Sequence, residues 1–312
     1  MQVNIEQAYQ RISKYITDTP LLTDDWINAF LENTTYFKCE NFQKVHAFKA
    51  RGAINALLKL DQDALKRGVA THSSGNHGQA LAWAANLLGT AAYIVMPENA
   101  PETKIEAVRH YGGRITFCQP TLADRERVLE DILNETGAHF IPPYNHLDVI
   151  EGQGTCAYEI FTSGVMPDYI LAPVGGGGLL SGTALAASAF SSETKVIGCE
   201  PANADDAYQS FRSGKIVPVG EAKTLADGLR TSLGDITFQI IKKHVFDIIT
   251  VTEQEITDAW RWITFRLKVV IEPSCAVAVA VLLKNKELFK RKKVVVILTG
   301  GNVDSSKLRL LL

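Results

Sequence analysis

The sequence of 312 residues lacks long apolar runs and has no large excess of either charge. No apolar run approaches the length of a membrane span, and VVVIL at 294–298 is only as long as a strand. The net charge of −2 offers no basic footprint for nucleic acid. The first residues are amphipathic rather than basic and then apolar, which predicts no signal peptide. We therefore expect a cytoplasmic protein whose partners include neither nucleic acid nor a membrane.

Paired cysteines are also absent. The five cysteines lie far apart, at Cys39, Cys118, Cys156, Cys199 and Cys275. No two of them have the CxxC spacing that is typical of metal sites and redox pairs. An odd number of scattered cysteines indicates reduced, partly buried thiols, which a reducing cytoplasm favours. Nothing in the sequence singles out one of these thiols as a nucleophile.

Short apolar segments alternate with helical patterns from Val69 onwards. The predicted strands are GVAT, AAYIVMP, RITFC, DYILAPV, KVIGCE and KVVVIL. This alternation predicts an α/β protein in which helices flank parallel sheets. In such folds the loops that follow the strands collect the ligands. The paired prolines of IPPYN, residues 141–145, predict a hinge between two domains.

Four consecutive glycines, Gly175 to Gly178, follow one of these strands. Their spacing does not fit the GxGxxG pattern of dinucleotide sites, although Glu200 ends the next strand where a ribose-binding acid would stand. The Gly-Lys-Ser/Thr of a Walker loop is missing from the run. Consecutive N–H groups before a helix suit a single phosphate, whereas a purely structural turn of four glycines has a high entropic cost. We predict a monophosphate site and keep a dinucleotide-dependent dehydrogenase as the alternative.

Pyridoxal 5'-phosphate (PLP) has one phosphate and needs a lysine for covalent attachment. Lys49, in ENFQKVHAFKARGAINALLKL, begins an apolar-faced helix. Together with SSGNHGQ, GGGG and TGGNVD, in this order and spacing, the segment resembles the fold-type II PLP enzymes of the serine/threonine dehydratase and serine racemase family. The resemblance covers residues 19–304. It implies a two-domain fold like that of the tryptophan synthase β subunit, with a large PLP-binding domain at 1–67 and 146–312 and a small mobile domain at 68–145.

The resemblance implies a role for each residue that matches a cofactor motif of the family. Lys49 bonds to PLP and acts as the base on one face of the substrate, and Phe48 packs beside the ring. Asn76 hydrogen-bonds the ring hydroxyl, and Thr299 faces the pyridine nitrogen. The phosphate is held by Gly175, Gly176, Gly177, Gly178 and Leu179. A neutral hydroxyl at the ring nitrogen leaves the pyridine largely unprotonated, which suits elimination better than transamination.

The implied substrate contacts come from several segments. They are Ser73, Ser74, Asn76 and His77 in the loop for the substrate carboxylate, Arg125 in the small domain, Asn145 at the hinge and Thr231 in LADGLRTSLG. Ser74 serves as a second base in serine racemases, where simple threonine dehydratases usually have alanine. The alternative is that Ser74 only donates to the substrate carboxylate. For the side chain of His77, the alternative is a capping or packing role.

The resemblance also bears on cations, nucleotides and assembly. The carboxylates of Glu200 and Asp206 and the carbonyl of Ala204 match the divalent-cation ligands of serine racemases, and such oxygens suit Mg²⁺, Mn²⁺ or Ca²⁺. The alternative is a solvated acidic turn. Asp24 and Asp25 replace hydroxyl residues of nucleotide-activated racemases, so we expect no activation by ATP. The chain stops soon after TGGNVD, so we expect no feedback-regulatory domain. The family is commonly dimeric, and we expect a homodimer.

These implications predict an enzyme that removes the α-proton of β-hydroxy amino acids. The expected outcomes are racemisation of serine and/or β-elimination of L-serine or L-threonine to a 2-keto acid and ammonia. Both outcomes share one deprotonated substrate, so we expect both activities to coexist. The alternative is an L-threo-3-hydroxyaspartate or threonine dehydratase with little racemisation, in which Arg125 would meet a second substrate carboxylate.

Overall fold

The structure, a computed structural model, describes residues 3–73 and 75–311. The strands are β1 (Leu21–Leu22), β2 (Thr34–Cys39), β3 (Val69–His72), β4 (Ala92–Pro97), β5 (Arg114–Cys118), β6 (His139–Phe140), β7 (Tyr169–Pro173), β8 (Lys195–Pro201), β9 (Asp247–Val251) and β10 (Lys293–Leu298). The α-helices are α1 (Ile5–Ile12), α2 (Asp25–Leu31), α3 (Lys49–Leu58), α4 (Gln62–Arg67), α5 (Asn76–Leu87), α6 (Glu102–His110), α7 (Leu122–Thr136), α8 (Leu147–Thr162), α9 (Gly178–Phe190), α10 (Asp206–Ser213), α11 (Asp235–His244), α12 (Glu253–Leu267), α13 (Pro273–Lys284), α14 (Lys286–Phe289) and α15 (Ser305–Leu308).

Two separate sheets organise the chain. The larger sheet has six strands in the order β1-β2-β10-β7-β8-β9, and only β1 pairs with its neighbour in the antiparallel sense. The smaller sheet has the order β5-β4-β3-β6 and is parallel throughout. All its strands come from residues 69–140. The predicted α/β class, with helices around parallel sheets, is therefore confirmed.

The six strands predicted from the sequence are all present, as β3, β4, β5, β7, β8 and β10. The strands β1, β2, β6 and β9 were not predicted. Two of these have only two residues, which is too short for a periodic pattern to be visible. The side chain of Asn4 caps the first helix, α1, by accepting a hydrogen bond of 3.0 Å from the N–H of Gln7.

The strand β10 is covered on both faces, as its continuous apolar sequence indicates. Val294, Val296 and Leu298 pack into one core cluster, and Val295 and Ile297 pack into another on the opposite face. The first cluster includes the buried indole of Trp260 and most of α13, and the second includes residues of α8 and α9. Burial on both faces fixes the register of the strand and the position of the loop that follows it.

The loops after β3, β7 and β10 hold the predicted motifs SSGNH, GGGG and TGGN. α5 begins within the first of them and α9 within the second, so both loops bring the start of a helix to the end of a strand. Among the described residues, no helix is both long enough and apolar enough to span a membrane. Ser74, the predicted second base, lies outside the described residues.

Candidate active site

Lys49 begins α3, where its amine contacts Pro143 after the smaller sheet and its neighbour Phe48 contacts Thr299 after β10 of the larger sheet. The region bounded by these three segments is the cleft. The amine of Lys49 donates a hydrogen bond of 2.6 Å to the carbonyl of Pro143, and it lies 5.1 Å from the centre of the Phe48 ring. Burial lowers the pKa of Lys49 from 10.5 to about 8, although the carboxylate of Glu272 opposes this shift. An amine with this pKa is partly neutral near physiological pH. Lys49 can therefore act as a nucleophile and as a base.

The glycine run links β7 to α9 and is required by the local geometry. Gly177 has a φ of +87°, which glycine tolerates far better than other residues. A Cβ on Gly176 would overlap the ring of Tyr144, and a Cβ on Gly177 would lie 2.8 Å from the side chain of Ile241. The first N–H groups of α9 have no acceptors within their own helix. The run therefore offers an anion a close-packed backbone surface at the positive end of a helix.

Asn76 brings two of the predicted motifs together. Its side-chain amide donates to both carboxylate oxygens of Glu272, at 3.0 and 3.1 Å. Its carbonyl oxygen accepts a hydrogen bond of 2.9 Å from Asn302, in the TGGN motif. Burial raises the pKa of Glu272 to about 7, although the hydrogen bond from Asn76 opposes this shift. The side chain of Asn76 is therefore held in place on both sides.

Glu272 is a site residue that the sequence analysis missed. It stands directly before Pro273, in an otherwise apolar stretch that continues into α13. A single acidic residue within an apolar stretch could have indicated this site, because a carboxyl group that is buried needs a specific partner. Tyr144, which covers Gly176 and Gly178, was missed as well. It follows the paired prolines of the predicted hinge, so its distance in sequence from the glycine run concealed the contact.

Thr299 directly follows β10 and lies beside the start of α3. Its carbonyl oxygen accepts a hydrogen bond of 3.0 Å from the N–H of Phe48, which joins the end of β10 to the start of α3. The residue is buried, and its hydroxyl lies 3.2 Å from the thiol of Cys275. The predicted cofactor residues Phe48, Lys49 and Thr299 therefore lie next to one another.

The described part of the SSGNH loop contains one hydroxyl and one histidine. The hydroxyl of Ser73 accepts a hydrogen bond of 3.3 Å from the N–H of Gly75. His77 is buried, and its Nε2 lies 2.9 Å from the carbonyl oxygen of Ile141. Burial, with a further contribution from Lys49, lowers the pKa of His77 to about 3. The imidazole is therefore neutral, and the contact with Ile141 favours the packing alternative for this side chain.

The other predicted substrate residues lie in three different segments of the chain, at Thr231, Arg125 and Asn145. The hydroxyl of Thr231 lies close to Gly175, 3.1 Å from where a Cβ on that glycine would stand. Arg125 donates from its Nε to the carbonyl of Thr121 at 3.4 Å, at the start of α7. Burial lowers the pKa of His72 at the end of β3, and the positive charge of Arg125 lowers it further. Asn145 instead donates to Asp235 at 2.6 Å and accepts from the N–H of Ile236 at 3.0 Å. Its side chain is thus engaged with the first turn of α11.

The candidate cation ligands lie beside a cavity of about 240 Å³. Glu200 accepts hydrogen bonds of 2.8 Å from the N–H groups of Ala207 and Tyr208. Both carboxylate oxygens of Asp206 are buried without a hydrogen-bond partner among the described residues. Burial raises the pKa of Glu200 to about 9 and that of Asp206 to about 7. Within residues 3–73 and 75–311, no three His, Cys, Asp or Glu side chains converge as a metal cluster.

One cleft therefore combines a partly buried lysine, a glycine surface for an anion and a buried hydroxyl. This combination defines an α/β enzyme that attaches a phosphate-bearing aldehyde through lysine. PLP fits these groups, because the amine of Lys49 can react with its aldehyde and the N–H groups at the start of α9 suit its phosphate. Asn76 and Thr299 would contact its ring.

Comparison with known proteins assigns the family. The profile described as "Pyridoxal-phosphate dependent enzyme" matches residues 12–300, and the chain belongs to this family. It is 48% identical to the β-hydroxyaspartate dehydratase of Paracoccus denitrificans, with 96% of each chain covered. It is 46% identical to the L-threo-3-hydroxyaspartate ammonia-lyase of Saccharomyces cerevisiae, with 97% of this chain and 94% of the relative covered. The crystal structure of serine racemase from Dictyostelium discoideum matches with a TM-score of 0.92 at 45% identity, covering 96% and 97% of the two chains.

These findings confirm the predicted family, its fold and the cofactor PLP. They also confirm the predicted class of enzyme, a PLP-dependent racemase or ammonia-lyase. The dinucleotide alternative has no support from the family. Its expected ribose acid, Glu200, instead binds backbone N–H groups at the start of α10.

Proposed function

We propose that the chain acts on β-hydroxy amino acids, racemising serine and/or eliminating the hydroxyl of L-serine or L-threonine. The observation that carries this proposal is the amine of Lys49, which donates to the carbonyl of Pro143 at 2.6 Å and has a pKa lowered by burial, next to Phe48, whose N–H binds the carbonyl of Thr299. When bound, PLP withdraws electrons from the substrate α-carbon and makes its proton acidic. The chain then needs a base at that proton, an anchor for the carboxylate and a proton source for the leaving hydroxyl.

The residues of the cleft divide these tasks. Neutral Lys49 accepts the α-proton, and its ammonium form returns that proton to the β-hydroxyl, which leaves as water. Backbone N–H groups at the start of α5 bind the substrate carboxylate. Thr231, next to Gly175, contacts the β-hydroxyl. Addition of one water to the dehydrated product then gives the 2-keto acid and ammonia, so the elimination consumes no net water.

The proposal is tested by a product assay on the PLP-loaded enzyme. L-Serine, L-threonine and L-threo-3-hydroxyaspartate are each incubated with the protein, and chiral chromatography measures D-isomers while a coupled assay measures 2-keto acids and ammonia. We expect keto acid from at least one substrate, and D-serine from L-serine. Absence of every product from all three amino acids contradicts the proposal.

We propose Ser74 as the second base, on the face of the substrate opposite Lys49. We expect Ser74→Ala to lower D-serine formation from L-serine by at least about 100-fold, because proton delivery by a positioned group typically contributes 10²–10⁴-fold. Keto-acid formation from L-serine is expected to change by less than about threefold, since Lys49 alone serves that reaction. Elimination in the same variant is the internal control. An equal loss of both activities contradicts the two-base assignment and supports carboxylate binding.

A second candidate is the dehydration of L-threo-3-hydroxyaspartate with little racemisation. It is favoured by Arg125, whose charge contributes to lowering the pKa of His72 at the end of β3, because a guanidinium can bind a second substrate carboxylate. Two of the relatives described above are named for hydroxyaspartate. In the product assay, this candidate predicts the highest kcat/KM for hydroxyaspartate and a large loss of that preference in Arg125→Met.

We also propose that Glu200, the carbonyl of Ala204 and Asp206 bind a divalent cation beside α10. The unpartnered oxygens of Asp206 support this, because buried carboxylates need a compensating charge. Mg²⁺ at about 100 times its Kd is expected to raise the free energy of unfolding by about 2.7 kcal/mol. Denaturant unfolding followed by tryptophan fluorescence, with and without EDTA, measures the effect. Asp206→Asn should abolish it and the surface variant Asp258→Asn should retain it, while no effect of Mg²⁺, Mn²⁺ or Ca²⁺ on the wild type contradicts the site.

We propose that residues 68–145 form a small mobile domain that closes on a large domain at 1–67 and 146–312, with 141–145 as the hinge. Asp227 supports this, because its carboxylate binds Lys104 of α6 at 3.0 Å and Lys307 of α15 at 3.1 Å. Lys104 lies in the proposed small domain, so its pair with Asp227 joins the two domains, whereas Lys307 lies in the same large domain as Asp227.

Because the pair between Lys104 and Asp227 stabilises the proposed closed form, Asp227→Asn is expected to raise KM roughly three- to tenfold, with a smaller change in kcat. Steady-state kinetics with the preferred substrate measures both constants. Lys104→Met should reproduce the effect, whereas Asp247→Asn, which breaks the exposed pair with Arg212, should not. Unchanged KM in both closure variants contradicts this role.

We further propose a homodimer without ATP activation, located in the cytoplasm. Trp26 and Phe30 are exposed and stacked at 5.2 Å between ring centres, which is typical of surfaces that another chain covers.

Asp24 already accepts the hydrogen bond of Ile27 at the start of α2, and Asp25 adds a second negative charge there. A triphosphate would be repelled at this position. The five cysteines are free and buried, in keeping with a reducing compartment.

A further inference from the structure

Thr237, in the first turn of α11, contacts the glycine run that follows β7. The side chain of Thr237 is fully buried. Its hydroxyl oxygen lies 2.8 Å from the carbonyl oxygen of Gly176, across a separation of 61 residues. A Cβ on Gly177 would lie 2.9 Å from the Cβ of Thr237. One side chain of α11 therefore packs against two consecutive glycines of the run.

The hydroxyl of Thr237 has one proton to donate, and two carbonyl oxygens are within reach. The carbonyl of Gly234, at 3.1 Å, already accepts a hydrogen bond of 2.9 Å from the N–H of Phe238. The carbonyl of Gly176 is closer and has no other donor among the described residues. The N–H of Gly234 donates to the hydroxyl oxygen at 3.0 Å. The hydroxyl thus accepts from Gly234 and donates to Gly176.

This hydrogen bond fixes the orientation of the peptide unit between Gly176 and Gly177. In a trans peptide the carbonyl and the N–H point in opposite directions. Because the carbonyl of Gly176 is held towards α11, the N–H of Gly177 points away from α11. That N–H has no acceptor within residues 3–73 and 75–311. A peptide unit between two glycines rotates at little steric cost, so its orientation needs a partner of this kind.

We propose that Thr237 is a positioning residue that turns the N–H of Gly177 towards the phosphate of the cofactor. The inference rests on the proposed function, since it takes the glycine run to hold that phosphate. Thr237 acts through the carbonyl of Gly176 and does not itself contact the cofactor. Its hydroxyl should therefore affect the binding of the phosphate and not the reaction of the aldehyde with Lys49.

Thr194 offers a matched control within the same chain. It is buried, and its hydroxyl donates to the carbonyl of Pro167 at 2.7 Å. Thr194 precedes β8 and Pro167 precedes β7, so this hydrogen bond lies at the opposite end of these strands from the glycine run. Thr194→Val removes a buried hydroxyl that binds a backbone carbonyl, as Thr237→Val does, without a contact to the run.

The test compares two ligands of the apoprotein and does not depend on turnover. PLP and pyridoxal have the same ring and aldehyde, but pyridoxal has no phosphate, and the visible absorption band of the lysine-bound form gives a Kd for each. We expect Thr237→Val to raise the Kd of PLP roughly two- to tenfold, as loss of one hydrogen bond predicts, and to leave that of pyridoxal within about twofold of the wild type. Thr237→Ser, which retains the hydroxyl, should resemble the wild type, and Thr194→Val should leave both values unchanged.

Thr237→Ala is a second variant without the hydroxyl, and it should show the same selective loss of PLP binding. If Thr237→Val and Thr237→Ala weaken PLP and pyridoxal equally, or if Thr194→Val matches them, the positioning role is overturned. Wild-type protein that binds PLP no more tightly than pyridoxal would overturn the phosphate site in the glycine run. Wild-type protein without a visible band on addition of PLP would overturn the use of Lys49. Both of these results differ from the failure of Thr237 alone.

Discussion

Lys49→Ala is expected to lower the exchange of the substrate α-proton by at least about 10³-fold, and racemisation and elimination with it. The variant would lack the amine that we propose attaches the cofactor, which donates to Pro143 and lies over the ring of Phe48. Deuterium incorporation at the α-carbon in D₂O measures the loss. Because this readout precedes the choice between products, it tests the base directly.

The control for this variant is Lys44→Ala, which removes an exposed lysine from the same segment. It should leave the exchange rate within about twofold of the wild type, since surface substitutions seldom disturb a distant site. Lys49→Ala should also have a midpoint of denaturant unfolding close to that of the wild type, because the amine of Lys49 makes one hydrogen bond. A folded Lys49→Ala that retains substantial exchange would place the base elsewhere.

Arg51→Met is expected to destabilise the protein by about 3–5 kcal/mol. Arg51 follows Lys49 by two residues on α3 and is fully buried. Its guanidinium binds Glu40 with two hydrogen bonds of 2.7 Å and Glu159 with bonds of 2.6 and 2.7 Å. Lys38 provides the second positive charge, at 2.5 Å from Glu159. Removal of Arg51 leaves two buried carboxylates with one ammonium group.

Denaturant unfolding near pH 7 measures this loss, and Arg212→Met is the matched control. Arg212 pairs with Asp247 on the surface at 2.6 Å, and its removal should cost less than about 1 kcal/mol. Equal effects of the two substitutions would contradict the importance of the buried network. The network also explains the position of Lys49, because Arg51 fastens the first turn of α3 to Glu40 after β2 and to Glu159 on α8.

The difference in the free energy of unfolding between the wild type and Arg51→Met should depend on pH, and the buried network sets the sign of this dependence. Burial opposes the ionisation of Glu40, but the guanidinium of Arg51 outweighs burial and holds the pKa of Glu40 below its ordinary value. A carboxyl group with a lowered pKa stabilises the folded state above its unfolded-state pKa and loses that contribution as the pH falls. As the pH falls, the free energy of unfolding of the wild type should therefore decrease more than that of Arg51→Met. The difference between the two free energies should become smaller.

The parts of the site that the sequence predicts are those with a local signal. The glycine run and TGGN each follow an apolar segment that predicts a buried strand, and Lys49 is indicated by the resemblance of its segment to the family. The fold follows for the same reason, since alternating strands and helices leave few arrangements other than covered parallel sheets.

The parts that escaped prediction depend on contacts between distant segments. Glu272 meets Asn76 across a separation of 196 residues, and Tyr144 covers Gly176 from the segment IPPYN, whose course the sequence does not specify. Cys275 looks like an ordinary apolar-helix cysteine until its contact with Thr299 is seen. The structure also places the side chain of Asn145 against α11, because a nearby helix start offers it an N–H group and a carboxylate.

The most direct test of the account is a proton NMR time course of PLP-loaded enzyme with L-serine in D₂O. The account predicts that the α-proton signal disappears, that pyruvate grows in, and that both changes vanish in Lys49→Ala. The relative rates of exchange and pyruvate formation report the balance between racemisation and elimination. Spectra that stay unchanged with L-serine, L-threonine and L-threo-3-hydroxyaspartate alike would contradict α-proton removal by Lys49.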